Sequence, residues 1–237
     1  MSFIINPYSF LVAGGDPYWS SVVLLAHMNG TNGGTTFTDN SNNAATLTAF
    51  GNAQTSTAQS KFNGSSGLFD GSGDYVTAPD AASWDFGTGD LTIELWVRIT
   101  GGEPPSPRSV LSSGAANSIA SFWSIEGTAS GKLAFFNSAY SDAVPLLTST
   151  SSWNNTWRFV AIVRSGNNWN FYVDGTSEAS ATSSAACNSN GQLVIGSGWY
   201  APASRGITGN LAEIRVTKGV ARYTANFTAP TAAFPNS

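Results

Sequence analysis

The sequence predicts an all-β protein built as a two-sheet antiparallel sandwich, and three observations point there. The segment Leu91–Ile99 alternates strictly, with Leu91, Ile93, Leu95, Val97 and Ile99 on one side and Thr92, Glu94, Trp96 and Arg98 on the other. Side chains on a strand point to opposite faces in turn, so this spacing sends the leucine face into a core. Apolar runs of similar length recur through about 200 residues, separated by Gly, Asn, Asp and Ser turns. No stretch keeps a helical period beyond two turns; Val220–Phe227 holds at most one short helical turn.

In chain order, residues 1–18 read as an arm. Its apolar residues (Phe3, Ile4, Ile5, Tyr8, Phe10, Leu11, Val12) have no sustained period, and Pro7, Gly14-Gly15 and Asp16-Pro17 interrupt it. Such an arm either caps its own domain or docks on a neighbour. Residues 19–237 read as the sandwich. Its first strand, Ser21–His27, ends in the turn-rich Asn29-Gly30-Thr31-Asn32-Gly33-Gly34. Lys132–Phe136, Arg158–Ser165, Trp169–Val173 and Gln192–Ser197 follow in the style of Leu91–Ile99. Gly166-Asn167 and Asp174-Gly175 are hairpin turns, because φ > 0 is tolerated at Gly, Asn and Asp. Gly-Gly-Glu-Pro-Pro-Ser-Pro at 101–107 is a stiff loop rather than a linker, since the same β patterning continues on both sides.

Composition bounds the function. Of 237 residues, 41% are hydrophobic and only 10% charged, against roughly 25% charged in an average soluble domain. The surface is therefore polar and nearly neutral. With a net charge of −4 and no cluster of Lys or Arg, the chain offers no groove for nucleic acid. No apolar run approaches the roughly 20 residues of a membrane-spanning helix. The N-terminus lacks a basic leader and is broken by Asn6-Pro7, so it does not read as a secretory signal. The sequons at Asn29, Asn63, Asn154 and Asn226 then read as chance matches in an Asn/Thr-rich chain. Cys187, the single cysteine, excludes an internal disulfide and reads as a buried thiol.

Several segments together resemble the laminin-G-like, concanavalin A-like jelly-roll domains of tailed-bacteriophage virion proteins. They are Leu24-Leu25 through Gly33, Thr36–Asp39, Phe69–Val76, Asp90–Val97 with its tryptophan, Trp157–Ala161, Phe171–Gly175, Val194–Gly196 and Gly209–Val216. The closing Gly219–Pro230, with Arg222, Tyr223, Asn226 and Phe227, most suggests the phage version. The resemblance covers residues 21–235. It implies a virion-surface structural protein on tail or head, assembled in the host cytoplasm and displaying a lectin-like sandwich for adhesion or decoration. Its partners would be other virion proteins through the N-terminal arm and a cell-surface polysaccharide, with no nucleic acid and no membrane. A homo-oligomer would add avidity. The alternatives from other classes are a glycan-degrading enzyme and a free carbohydrate-binding module on the same fold.

The residues speak against catalysis. Glycosidases need two carboxyl groups flanking the scissile bond, yet Glu94, Glu126 and Glu213 stand singly on their strands, and no strand carries acids at i and i+2. His27 is the only histidine and has no nucleophile signature beside it, so it reads as structural. No cofactor is required. Relatives of this kind hold a structural calcium, whose place here would fall to Asn29, Asp70 and Glu213. Asn29 and Ala212 stand where the family pattern has acids, which weakens such a site. Asp39-Asn40-Ser41-Asn42-Asn43 lacks the glycine and glutamate of an EF-hand and reads as Asx turns. For sugar binding the aromatics of interest are Trp199 and Tyr200 in a Gly-rich turn, then Trp84 and Trp153. Each either stacks on a sugar face or closes an end of the core.

Overall fold

A computed structural model of the chain describes residues 15–100, 108–116, 118–137, 144–153 and 155–237. Most of the N-terminal arm and the 101–107 loop thus lie outside the described residues. Among the described residues there are fifteen strands: β1 (Val22–Ala26), β2 (Thr48–Phe50), β3 (Gln54–Ser56), β4 (Ser66–Asp70), β5 (Tyr75–Ala78), β6 (Leu91–Ile99), β7 (Arg108–Gly114), β8 (Phe122–Gly127), β9 (Lys132–Asn137), β10 (Leu147–Ser152), β11 (Arg158–Ser165), β12 (Asn168–Val173), β13 (Thr176–Thr182), β14 (Leu193–Ile195) and β15 (Thr208–Lys218). Trp19–Ser21 and Ala82–Trp84 each form a single 3₁₀ turn.

The strands make two antiparallel sheets, as the alternation predicts. The eight-stranded sheet runs β13-β12-β11-β6-β15-β4-β3, with β1 also paired to β15; the seven-stranded sheet runs β10-β9-β8-β7-β14-β5-β2. The inner faces meet in one core that contains the full leucine face of β6 together with Val76, Leu111, Ile125, Phe135, Ile162, Ile195 and Ile214. The β12–β13 turn is tight because Asp174 and Gly175 both take positive φ, 50° and 84°, the requirement of a type I′ hairpin.

The long central strand β15 has one irregularity. It pairs with β4 through Thr208–Leu211 and with β1 from Ile214 onward. Between these blocks the register against β6 slips from Ala212 to Arg215, and Glu213 takes φ 52°. This β-bulge re-aims the Glu213 side chain at the point where one neighbour replaces the other.

Two features differ from the sequence reading. The second face of β6 is buried too: Thr92, Glu94 and Trp96 are at most 5% exposed. Phe62 and Lys61 lie against Trp96, while Thr92 and Glu94 are covered by the segment 219–237, which forms no helical turn over Val220–Phe227 but lies across the outer face of the eight-stranded sheet as an irregular strap. Tyr223 and Phe227 stack on each other at 3.5 Å and sit edge-on to Tyr172. Phe227 N–H donates to the Gly175 carbonyl at 2.9 Å, and the Phe234 ring lies 3.7 Å from the Arg215 guanidinium.

Asp16, within the segment read as an arm, is bonded to the sheet. The Asp16 carboxylate accepts from both terminal nitrogens of Arg222, at 2.9 and 2.7 Å, and from Arg215 at 2.8 Å. Arg215 Nε donates to Glu94 at 2.7 Å, and Tyr223 Oη donates to the other oxygen of Glu94 at 2.7 Å. Asp16 N–H also donates to the Ser237 carbonyl. Two carboxylates and two guanidiniums, balanced in charge, are thus buried beneath the strap and tie it to the sheet.

Candidate functional site

The proposed metal residues do not converge. Glu213 is 1% exposed and its carboxylate is filled by protein donors. His27 Nδ1 lies 3.0 and 2.8 Å from its two oxygens, Asn63 Nδ2 donates at 3.2 Å, and Phe234 N–H donates at 2.8 Å. His27 Nε2 faces the Asn236 Oδ1 at 2.7 Å. Both ring nitrogens therefore face acceptors, an arrangement that favours imidazolium. Burial pushes the His27 pKa down, but hydrogen bonding and charge from Glu213, with Asn236, outweigh it and the net shift is upward. A calcium ion does not fit where a cationic donor already occupies the carboxylate. Asp70 pairs with Thr208, at the far end of β15, and accepts the Ser72 N–H at 2.8 Å. Asn29 is exposed in its turn. Among the described residues no three His, Cys, Asp or Glu side chains form a metal-holding group.

Asp39 behaves as the sequence suggests, accepting from the N–H groups of Leu25, Ser41 and Ala45 at 2.9 Å each. Glu94 is likewise engaged in the ionic cluster, so two of the three glutamates singled out in the sequence, Glu94 and Glu213, are held by cations. Cys187 is fully buried, and that burial pushes its thiol pKa far up.

The four aromatic candidates divide. Trp199 is 1% exposed: its indole stacks on Phe122 at 4.1 Å and its Nε1 donates to the Ser118 carbonyl at 2.8 Å. It lies flat on the outer face of the seven-stranded sheet because Gly114 is beneath it, where a Cβ would come within 2.4 Å of the ring. Trp84 is also buried, its Nε1 donating to the Pro79 carbonyl at 2.9 Å. Trp153 is half-buried against the main core. Neither Trp199 nor Trp84 offers a ring face to a ligand, because each closes a gap that loops leave over a sheet. Tyr200 alone of the four is exposed, with the Arg205 guanidinium 5.6 Å from its ring.

Beside it stands a pair the sequence did not single out. Phe50 on β2 and Tyr75 on β5 are cross-strand partners on the outer face of the seven-stranded sheet. Their rings stack at 4.6 Å and 10°, yet Phe50 remains 40% exposed. Tyr75 packs from its other side toward the Trp199–Phe122 cluster. Three loops are fastened around the pair. The Asp74 carboxylate accepts the N–H of Asn52 at 2.8 Å and of Asp70 at 2.9 Å, and Gly73 N–H donates to the Ala203 carbonyl at 3.1 Å. Arg108 Nη1 donates to the carbonyls of Gly71 and Gly206. Gly51, at φ 66°, is obligatory here, since a Cβ would lie 2.4 Å from the Gly73 carbonyl oxygen. The loops flanking Phe50 and Tyr75 are thus fastened to one another and to the loop that runs from Tyr200 past Arg205. The only sequence trace was Phe50 before a Gly-Asn turn; its partner is 25 residues away and the register had to bring them together.

Residues 70–222 match the family model Laminin_G_3, described as the concanavalin A-like lectin/glucanases superfamily. The chain belongs to this superfamily. Comparison of the superfamily member with curated sequences finds no match, whereas solved structures share its fold at low identity. Domain 4 of a GH43 extracellular arabinanase from Geobacillus stearothermophilus, in complex with arabinotriose, has a TM-score of 0.61 at 16% identity, over 85% of this chain and 95% of that one. A botulinum neurotoxin type C structure, whose cell uptake depends on two ganglioside molecules, has a TM-score of 0.64 at 16% identity over 86% of this chain and 50% of that one. The binding domain of Paraclostridial mosquitocidal protein 1 gives 0.62 at 12% identity, over 86% and 51%. The chain spans about half the length of these toxin chains. Such identities establish the shared lectin-like sandwich and leave the ligand to this chain's own residues.

Proposed function

We propose that this concanavalin A-like domain is a glycan-binding module displayed on a bacteriophage virion, and that it binds rather than cleaves. The observation that carries this is the exposed Phe50 ring, pre-stacked on Tyr75 in a loop junction tied through the Ala203 and Gly206 carbonyls to the loop of Tyr200 and Arg205. A sugar ring has one face of C–H groups; laid on the free side of Phe50 it would extend an existing aromatic stack while Tyr200 and Arg205 meet its hydroxyls. Large aromatics held half-exposed by a rigid frame lose little entropy on binding.

The binding reading over the enzymatic one is supported by the engagement of Glu94 and Glu213 with Arg215 and His27, since a carboxylate committed to a buried cation cannot serve as acid or nucleophile. Of the structures that share the fold, one is a toxin binding domain, one belongs to a toxin whose cell entry depends on gangliosides and one is in complex with arabinotriose, which agrees with the same reading. For virion attachment, support comes from where the arm joins. Asp16 is rooted on the outer face of the eight-stranded sheet, whereas Phe50 and Tyr75 lie on the outer face of the seven-stranded one. Residues 1–14 would then attach at the Asp16 end and leave the Phe50 platform outward, with copies in a homo-oligomer compensating weak single contacts.

The test is a glycan array and titration with the full chain, Phe50→Ala and Tyr200→Ala. Each variant should retain the wild-type melting temperature and weaken glycan binding by about tenfold or more, as loss of a stacking contact of roughly 1.5 kcal/mol implies. Unchanged binding by both variants refutes the platform. Release of reducing ends from a bound glycan refutes the binding-only role.

A further inference from the structure

A second patch, on the opposite sheet, is rich in donors and poor in acceptors. Its centre is Trp96 on β6, with Phe62 edge-on at 6.0 Å and the Lys61 ammonium 3.6 Å above the indole. Among the described residues Lys61 has no salt-bridge or hydrogen-bond partner, its contacts being with the Trp96 and Phe62 rings. Burial lowers its pKa, with only the field of Asp174 opposing. Two residues along the same face, Arg98 makes one hydrogen bond, from Nη1 to Asn210 at 3.1 Å. The β6–β11 register, Val97 opposite Arg158, places Trp157 directly across from Arg98. The indole nitrogens of Trp96 and Trp157 are both buried without a hydrogen-bond partner. Among the described residues the carboxylate whose field acts on Lys61 is that of Asp174, already engaged by Arg158 at 2.7 Å and by the Phe159 N–H at 2.9 Å.

The imbalance has a chemical reading. Buried donors normally find acceptors, and unpaired ones mark either stored cost or a missing partner. Lys61, Arg98 and Arg158 are three of the ten basic residues of a chain whose net charge is −4, so among the described residues their grouping with Asp174 runs against the overall field. The missing partner must supply anionic oxygen and a flat apolar face to lie along half-buried Trp157 and Phe62. A nucleic acid needs a longer track of cations than three residues provide. We propose that this end of the eight-stranded sheet is a second binding site, taking a carboxylate-bearing sugar of an acidic polysaccharide between Lys61 and Arg98. The carboxylate forms charge-assisted hydrogen bonds to the two cations, and the sugar face packs on Trp157. This site is separate from the Phe50 platform and stands on different observations.

The experiment titrates the full chain with tetragalacturonate, a neutral galactose tetrasaccharide and inorganic phosphate, reading tryptophan emission and heat. Tetragalacturonate should bind, perturb the emission as Lys61 leaves the Trp96 ring, and weaken as salt rises. Lys61→Met combined with Arg98→Gln, substitutions that keep side-chain bulk, should lower its affinity at least about tenfold, the loss expected for hydrogen bonds to charged groups. Phe50→Ala should leave it unchanged, which separates this site from the platform. Absence of tetragalacturonate binding, equal binding of the neutral tetrasaccharide, or full competition by phosphate at equal concentration would each overturn the proposal. Should the double variant fold poorly, the salt dependence of the wild-type chain decides: salt-independent binding overturns it.

Discussion

Asp16→Asn is the sharpest test of the architecture, because it changes one atom in a residue that precedes the first strand. The Asp16 side chain is 1% exposed, as are those of Arg215 and Arg222 within a percent, so solvent screening cannot rescue a mismatch. The substitution removes one of two carboxylates from a balanced group of four charges and swaps an acceptor oxygen for an N–H donor facing two guanidiniums. Breaking a buried pair from one side costs about 3–5 kcal/mol, since the orphaned charge stays desolvated. For a chain of this size that is a drop in Tm of roughly 6–20 °C. Thermal and urea unfolding of wild type, Asp16→Asn, a deletion of residues 1–14 and a deletion of residues 1–18 make the comparison. Asp16→Asn and the longer deletion should fall together, while the shorter deletion should keep wild-type stability. A fall of less than about 2 °C for Asp16→Asn, or equal stability of the two deletions, refutes the claim that the ionic cluster fastens the strap.

Stability should peak in mildly acid solution. The His27 pKa is raised from 6.5, so its contribution is complete below that value and is lost as pH rises through the folded pKa; His27→Gln should flatten the alkaline limb of a Tm-against-pH curve. For Asp16, burial acts upward but the hydrogen bond and charge of Arg222 and the charge of Arg215 win, and its pKa is lowered from 3.8. Its contribution is present above that value and disappears as pH falls through the folded pKa, which Asp16→Asn should abolish in the same curve. Trp199→Ala should cost about 3–5 kcal/mol in urea unfolding through the cavity left on Phe122, so any loss of glycan binding in that variant should track loss of fold. EDTA or added calcium should leave Tm unchanged, because His27 occupies the Glu213 carboxylate; a calcium-dependent rise would overturn that geometry.

The sequence by itself determined the sheets. The strict alternation of Leu91–Ile99, the Asp174-Gly175 turn and the regular spacing of β runs are local signals, since side-chain direction and turn φ are set within a few residues. The superfamily was legible for the same reason, its landmarks being strand and turn segments in a fixed order. What the chain does with its outer faces was not legible. Glu94 looks solvent-facing in an alternating strand, and only a segment about 125 residues later, carrying Arg222 and Tyr223, shows it to be buried. Trp199 sits in a Gly-rich turn where stacking on a sugar and closing the core were equally open, and only the fold lays it on Phe122. Phe50 and Tyr75 meet only through strand register, and Glu213 meets His27 across 186 residues through a bulge. Local pattern fixes which way a side chain leaves its strand; what waits for it there depends on distant segments that local pattern does not place, and so tertiary packing alone assigned the site.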